Sequence, residues 1–141
     1  MARAPLREIY CWELQLDKLN IYLASTKKGA VRVGLSLSKN MDCLTYFKSE
    51  FSSAEIYKDK QINSRLLDGV HRVLKNRPLR GDLPMDISPT LFQMRVWKSI
   101  ARIPFGQTRT YSEVARMIGM PKGARAVGQA MGRNPLPIIF P

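Results

Sequence analysis

The chain has 141 residues, 45% of them hydrophobic and 24% charged, which suits one modest domain or two small ones and excludes disorder throughout. No apolar run approaches the length of a membrane span, and no signal-peptide core follows Met1-Ala2-Arg3-Ala4-Pro5, so a soluble protein is expected, cytoplasmic or, in a eukaryote, nuclear. Against 11 Asp+Glu stand 23 Lys+Arg, a net charge of +12 that attracts polyanions.

Residues 8–37 alternate as antiparallel strands do. Ile9 and Cys11, then Leu19, Ile21 and Leu23, then Val31, Val33, Leu35 and Leu37, keep a period of two. Lys28-Gly29 is a hairpin signal between the last two runs. From Asp42 the spacing becomes helical, with Leu44, Phe47 and Phe51 on one face. Asn63-Ser64 opens a second helix whose apolar face is Leu66, Leu67, Val70, Val73 and Leu74, and Asn76-Arg77-Pro78 ends it. Leu83 to Ile87 reads as a short strand or an extended linker, and a domain boundary is placed there, with domains over 1–85 and 90–141.

Thr90 is a candidate N-cap for a helix through Phe92, Val96, Trp97 and Ile100 to about Arg102, broken by Ile103-Pro104-Phe105-Gly106. Thr110-Tyr111-Ser112-Glu113 has the form of a capping box. Its helix turns Val114, Ala115 and Ile118 inward and stops at Gly119. After Met120-Pro121 a further helix spans Lys122 to Gly132. Two short helices joined by a glycine-containing turn suggest a helix-turn-helix.

Charge is uneven along the chain. Residues 1–89 hold 15 basic and 10 acidic side chains, whereas residues 90–141 hold 8 basic ones and only Glu113. The second helix of the pair offers Lys122, Arg125 and Gln129 on a background of Ala124, Ala126, Gly128 and Ala130. Small residues permit close backbone approach and suit a narrow groove better than base-edge decoding, although tight packing on another helix would ask for the same residues.

Cys11 and Cys43 are the only cysteines and His71 the only histidine. Neither cysteine belongs to a C-x-x-C pair, so two buried, unbridged thiols and no metal site are expected.

The second part of the chain carries the blocks Phe92-Gln93-Met94-Arg95-Val96-Trp97, Ile103 to Thr108, Thr110 to Ala115, Gly119 to Lys122, Ala124 to Ala130 and Asn134 to Ile139. In that order they resemble the DNA-binding domain of the O6-alkylguanine-DNA alkyltransferases, from Phe92 to Pro141. Residues 1–85 resemble the family loosely. The resemblance implies an α/β protein: a small ribonuclease-H-like N-terminal domain followed by a helical, winged-helix-like helix-turn-helix domain.

Function follows as an expectation of the same kind. The family repairs O6-alkylguanine directly, moving the alkyl group irreversibly to a protein cysteine with no cofactor. The implied partner is double-stranded DNA entered through the minor groove, with the alkylated guanine flipped out, bound by a monomer. Arg125 matches the arginine that fills the vacated stack, and Tyr111 the tyrosine that crowds the phosphate 3′ to the target. Ala124, Ala126, Gly128 and Ala130 match the small face that lies against the groove, with Lys122 and Gln129 as further DNA-binding residues, and Asn134 matches the asparagine linking that helix to the active site.

The family's nucleophilic cysteine and its histidine are expected just beyond Pro141, so no catalytic residue is assigned within these residues. The chain is accordingly expected to be part of a longer protein and inactive in transfer. The alternative is a non-catalytic lesion-binding relative or a helix-turn-helix DNA-binding module.

Overall fold

A computed structural model describes residues 7–38 and 41–140; the N-terminal Met1-Ala2-Arg3-Ala4-Pro5 and the last matched residue, Pro141, lie outside them. The chain divides into two compact units, residues 1–87 and 88–141.

In the first unit, β1 (Glu8–Leu16), β2 (Leu19–Thr26) and β3 (Gly29–Ser36) form an antiparallel meander. The alternating apolar runs dictate this, and two-residue turns join them. Asp17 turns the first hairpin at a φ of 57°, which its short polar side chain tolerates. A fourth strand, β4 (Glu55–Lys58), lies parallel to β1 and gives the order β3-β2-β1-β4. The sheet with its helices makes this unit α/β, in the strand order of a ribonuclease-H-like fold.

Between β3 and β4 runs α1 (Cys43–Lys48), capped by the Asp42 side chain on the Leu44 N–H. Its inward residues are Cys43 and Phe47, not Leu44, which is exposed. Phe47 and Phe51 lie on the inward side as expected, and Cys43 takes the place expected of Leu44. Cys43 and Phe47 pack on Ile9, Cys11, Tyr22, Ala24 and Val31 of the sheet. Burying each such large side chain contributes roughly 1.5–3 kcal/mol.

The second helix, α2 (Ser64–Leu74), contacts β2. It buries Leu66, Gly69 and Val70, while Leu67 and Val73 are half-buried and Leu74 is exposed. Its stop is set before the proline. Asn76 takes a φ of 55°, and the Asn76 and Arg77 N–H groups donate to the Val73 and Arg72 carbonyls. The alternation in β3 also ends early: Val31 and Val33 are buried, whereas Leu35 is exposed and Leu37 lies beyond the strand, 77% exposed. β3 is an edge strand of the sheet, and its cover ends at Gly34.

Gly29, at a φ of 152°, is fixed by close approach. A Cβ there would stand 2.5 Å from the Pro84 carbonyl oxygen and the Met85 nitrogen. The stretch 84–86 runs beside β3, where the Ala30 N–H donates to the Pro84 oxygen at 2.9 Å and the Asp86 N–H to the Ala30 oxygen at 2.8 Å. It is an extended arm with one parallel bridge, Ala30 to Met85.

The second unit is helical: α3 (Leu91–Ala101), α4 (Tyr111–Met117) and α5 (Ala124–Gly132), with no strand among its described residues. Its core comprises Val96, Trp97, Ile100, Val114, Ala115, Ile118, Val127, Ala130, Leu136, Ile139 and Phe140. The complete capping box lies at α3, where Thr90 and Gln93 exchange side-chain and backbone bonds. At α4 Thr110 accepts from the Glu113 N–H, and the return bond from Glu113 is absent. Glutamine at the third position closes the first box; Glu113 leaves the second half-formed.

Candidate nucleic-acid interface

The geometry begins with the end of α4. Gly119, at a φ of 77°, follows Ile118, and the Gly119 and Met120 N–H groups donate to the Arg116 and Ala115 carbonyls. This closes the helix sharply and lets the chain re-enter α5 after a short turn. Arg95 of α3 donates to the Ile118 carbonyl, so one side chain ties the first helix to that turn. The two helices pack on each other and α5 packs on α3.

Burial divides α5 cleanly. Val127 and Ala130 face the core, so Ala130 does not belong to the small groove-facing surface expected of it, while Arg125 and Gln129 are exposed, as is Lys122 just ahead of the helix. Arg125 and Gln129 are four residues apart and share one face, with Lys122 one turn earlier. Ala124, Ala126 and Gly128 are half-buried between the two faces. The result is a low surface of small side chains beside three long polar ones.

Gly128 has a second reason to be small. A Cβ on it would lie 3.1 Å from Tyr111 Cε2 and 3.2 Å from Cδ2. The ring of Tyr111 therefore rests against α5, although the residue as a whole is 53% exposed. Tyr111, Arg125, Gly128 and Gln129 thus share one neighbourhood built from the start of α4 and the middle of α5. Trp97 has other partners: it stacks on Phe140, with ring centroids 5.8 Å apart, and donates from Nε1 to the Ala130 carbonyl at 2.9 Å.

Asn134 sits apart from this neighbourhood in role. Its Oδ1 accepts from the Leu136 N–H at 2.9 Å, and its Nδ2 donates to the Phe140 carbonyl. One amide thereby clamps both ends of the segment 136–140. Within that segment Ile138 has a φ of 79°, an unusual conformation for a β-branched residue. Leu136, Ile139 and Phe140 are buried.

Electrostatics favour an anion. Arg95, Lys98, Arg102, Arg109, Arg116, Lys122, Arg125 and Arg133 belong to this unit, and Glu113 is its one carboxylate side chain. Among the described residues, every ion pair lies in the first unit, so none of these cations is neutralised by a carboxylate. Phe105, 81% exposed on the loop before α4, is not among the site residues expected from sequence; an apolar residue in a turn gives no signal of its exposure.

The family model of the 6-O-methylguanine DNA methyltransferase DNA-binding domain matches residues 91–141. The inducible methylated-DNA–protein-cysteine methyltransferase of Bacillus subtilis (strain 168) is 32% identical over 131 residues, covering 92% of this chain and 73% of that protein. The chain belongs to the methylated-DNA–protein-cysteine methyltransferase family.

A mycobacterial relative aligns in sequence over a shorter stretch. The methylated-DNA–protein-cysteine methyltransferase of Mycobacterium tuberculosis (strain ATCC 25618 / H37Rv) is 53% identical over 60 residues, 43% of this chain and 36% of that protein. Among solved structures, Mycobacterium tuberculosis OGT in complex with DNA superposes with a TM-score of 0.67 at 28% identity, covering 95% of this chain and 74% of that one. The O6-methylguanine methyltransferase structure from the same organism gives a TM-score of 0.68 at 28% identity, covering 94% of this chain and 75% of that one.

Proposed function

We propose that the second unit docks on double-stranded DNA, with α5 entering the minor groove and an alkylated guanine flipped out of the stack. The activity served is the family's: direct repair of O6-alkylguanine by irreversible alkyl transfer to a protein cysteine. The observation that carries this reading is the juxtaposition of the Tyr111 ring on Gly128 with the exposed, unneutralised Arg125 on the same helix. A planar cation beside a low, small-residue surface suits insertion between bases. An aromatic ring at the rim is suited to crowding a phosphate. Lys122 and Gln129 flank the approach, and Asn134 holds the segment that follows the helix.

Neither Cys11 nor Cys43 is suited to be the acceptor cysteine. Cys11 and Cys43 are both buried in the first unit, and their sulfurs contact each other rather than solvent. The hydrogen bond with Cys11, and then burial, hold the Cys43 thiol well above its ordinary range and so disfavour a thiolate. Neither is poised to accept an alkyl group from DNA.

The test is binding, by fluorescence anisotropy, of matched duplexes with and without one O6-methylguanine, at several salt concentrations. Tighter binding to the lesion duplex, with little dependence on flanking sequence, is expected. Strong preference for one unmodified sequence would instead make this a sequence-reading helix-turn-helix protein. Transfer of a labelled methyl group to Cys11 or Cys43 would show that one of these buried thiols is an acceptor after all.

A further inference from the structure

Cys11 lies in β1 and Cys43 opens α1, 32 residues later, yet their sulfurs are 2.7 Å apart and both residues are completely buried. That is less than about 1 Å beyond the ~2.05 Å of a disulfide bond. The contact is held from both sides. Cys11 is fixed in a strand paired with β2 on one side and β4 on the other. Cys43 is fixed by the Glu13 carboxylate, which accepts its N–H, and by the Asp42 cap on the next residue. Lys58 in turn bridges Glu13 at 2.6 Å and Asp42 at 3.4 Å.

We propose that Cys11 and Cys43 are a modification site: exposed to a peroxide, they close to a reversible intrachain disulfide that fastens β1 to the first turn of α1. Because both sulfurs are buried, reaction proceeds through local opening of that turn, which belongs to a helix of only six residues. On opening, Cys43 loses its proton to water and its thiolate attacks one peroxide oxygen. The O–O bond breaks, the sulfur becomes a sulfenic acid, and the departing hydroxide is protonated to water. On reclosing, the Cys11 sulfur attacks that of Cys43 as its own proton leaves. The S–S bond forms, the S–O bond breaks, and a second water departs. In sum two thiols lose two protons and two electrons, and one peroxide becomes two waters.

Proximity decides the outcome. A sulfenic acid formed in the open turn meets Cys11 before it meets a second peroxide, so oxidation stops at the reversible stage rather than passing to sulfinic acid. The bond closes a loop containing β2 and β3, which restricts the unfolded chain and raises the melting midpoint by on the order of 10 °C.

The experiment uses the intact chain. It is treated with hydrogen peroxide, quenched, unfolded with a thiol-alkylating reagent under non-reducing conditions, and weighed. The expected product is a monomer two hydrogens lighter and unlabelled, with the Cys11 and Cys43 peptides linked. Dithiothreitol then restores two labelled thiols and the lower midpoint. Two free thiols after a treatment that oxidises the unfolded chain would overturn the proposal. So would sulfinic acid at either position, or a disulfide joining two chains.

Discussion

The ring of Tyr111 lies against the bare α-carbon of Gly128, so close that a methyl group there would stand 3.1 Å from its Cε2. Alanine at that position is better for helix propensity by ~1 kcal/mol but must push the ring aside. Gly128→Ala is therefore expected to leave the melting temperature nearly unchanged while weakening duplex binding by roughly fivefold, ~1 kcal/mol of coupling. In a double-mutant cycle with Tyr111→Ala the two losses should not add. Additive losses in anisotropy titrations would mean that Gly128 matters for the groove alone.

Arg125 and Lys122 are both exposed and near each other in sequence, yet different effects are expected of them. An inserted side chain contributes on every duplex, so Arg125→Ala should cost about 1–3 kcal/mol of binding whatever the flanking sequence. A phosphate contact releases counterions, so Lys122→Ala should lower the slope of log affinity against log salt by about 1. Titrations at matched salt on three unrelated duplexes check both. A loss confined to one duplex for Arg125→Ala would point to base readout instead.

The residues that built this reading were unequally legible. Strands β1 to β3 declared themselves because each alternates and each ends in a turn. β4 did not: Glu55–Lys58 offers only Ile56 as an inward apolar residue, and its parallel pairing with β1 joins residues 47 positions apart, which no local pattern records. The helix-turn-helix was readable from Gly119 and the capping threonine. The seat of Tyr111 was not, because a glycine in a helix announces that something is close without naming it. The cysteines were read correctly as buried but not as neighbours, since their meeting depends on how α1 is laid over β1.

Asp86 ties the extended arm to the sheet. Its carboxylate accepts from the Thr26 hydroxyl at 2.7 Å and faces Arg7 at 3.5 Å; the first of these, then the arginine, hold its pKa below the ordinary value despite some burial. A depressed folded pKa contributes stability that is fully present above the unfolded value of ~3.9 and is lost as pH falls through the folded value. Asp86→Asn should thus lower the melting temperature near neutrality, and the gap from wild type should shrink as pH is taken below about 4. Melts across that range decide it. A gap that widens on acidification would show that the carboxylate is not stabilising.

Asn134 provides the sharpest test of the second unit's architecture, because its amide serves two backbone groups at once. Replacement by alanine leaves the Leu136 N–H and the Phe140 carbonyl without their partner in a half-buried setting. An unmade bond of this kind costs about 1–3 kcal/mol, and two are lost together. Asn134→Asp separates them, since it keeps an acceptor for Leu136 but has no donor for Phe140. Its cost should therefore fall between wild type and alanine. Phe140 stacks on Trp97, so loosening the segment should also let water reach the indole. In a background where Trp12 is replaced by phenylalanine, Trp97 emission is expected to shift to the red in Asn134→Ala, with a smaller shift in Asn134→Asp. Unchanged emission with a lowered melting temperature would mean that the amide stabilises the turn without holding Phe140 in place. In that case the segment following α5 would be positioned by its buried side chains, and Ile138 would keep its left-handed backbone without the clamp.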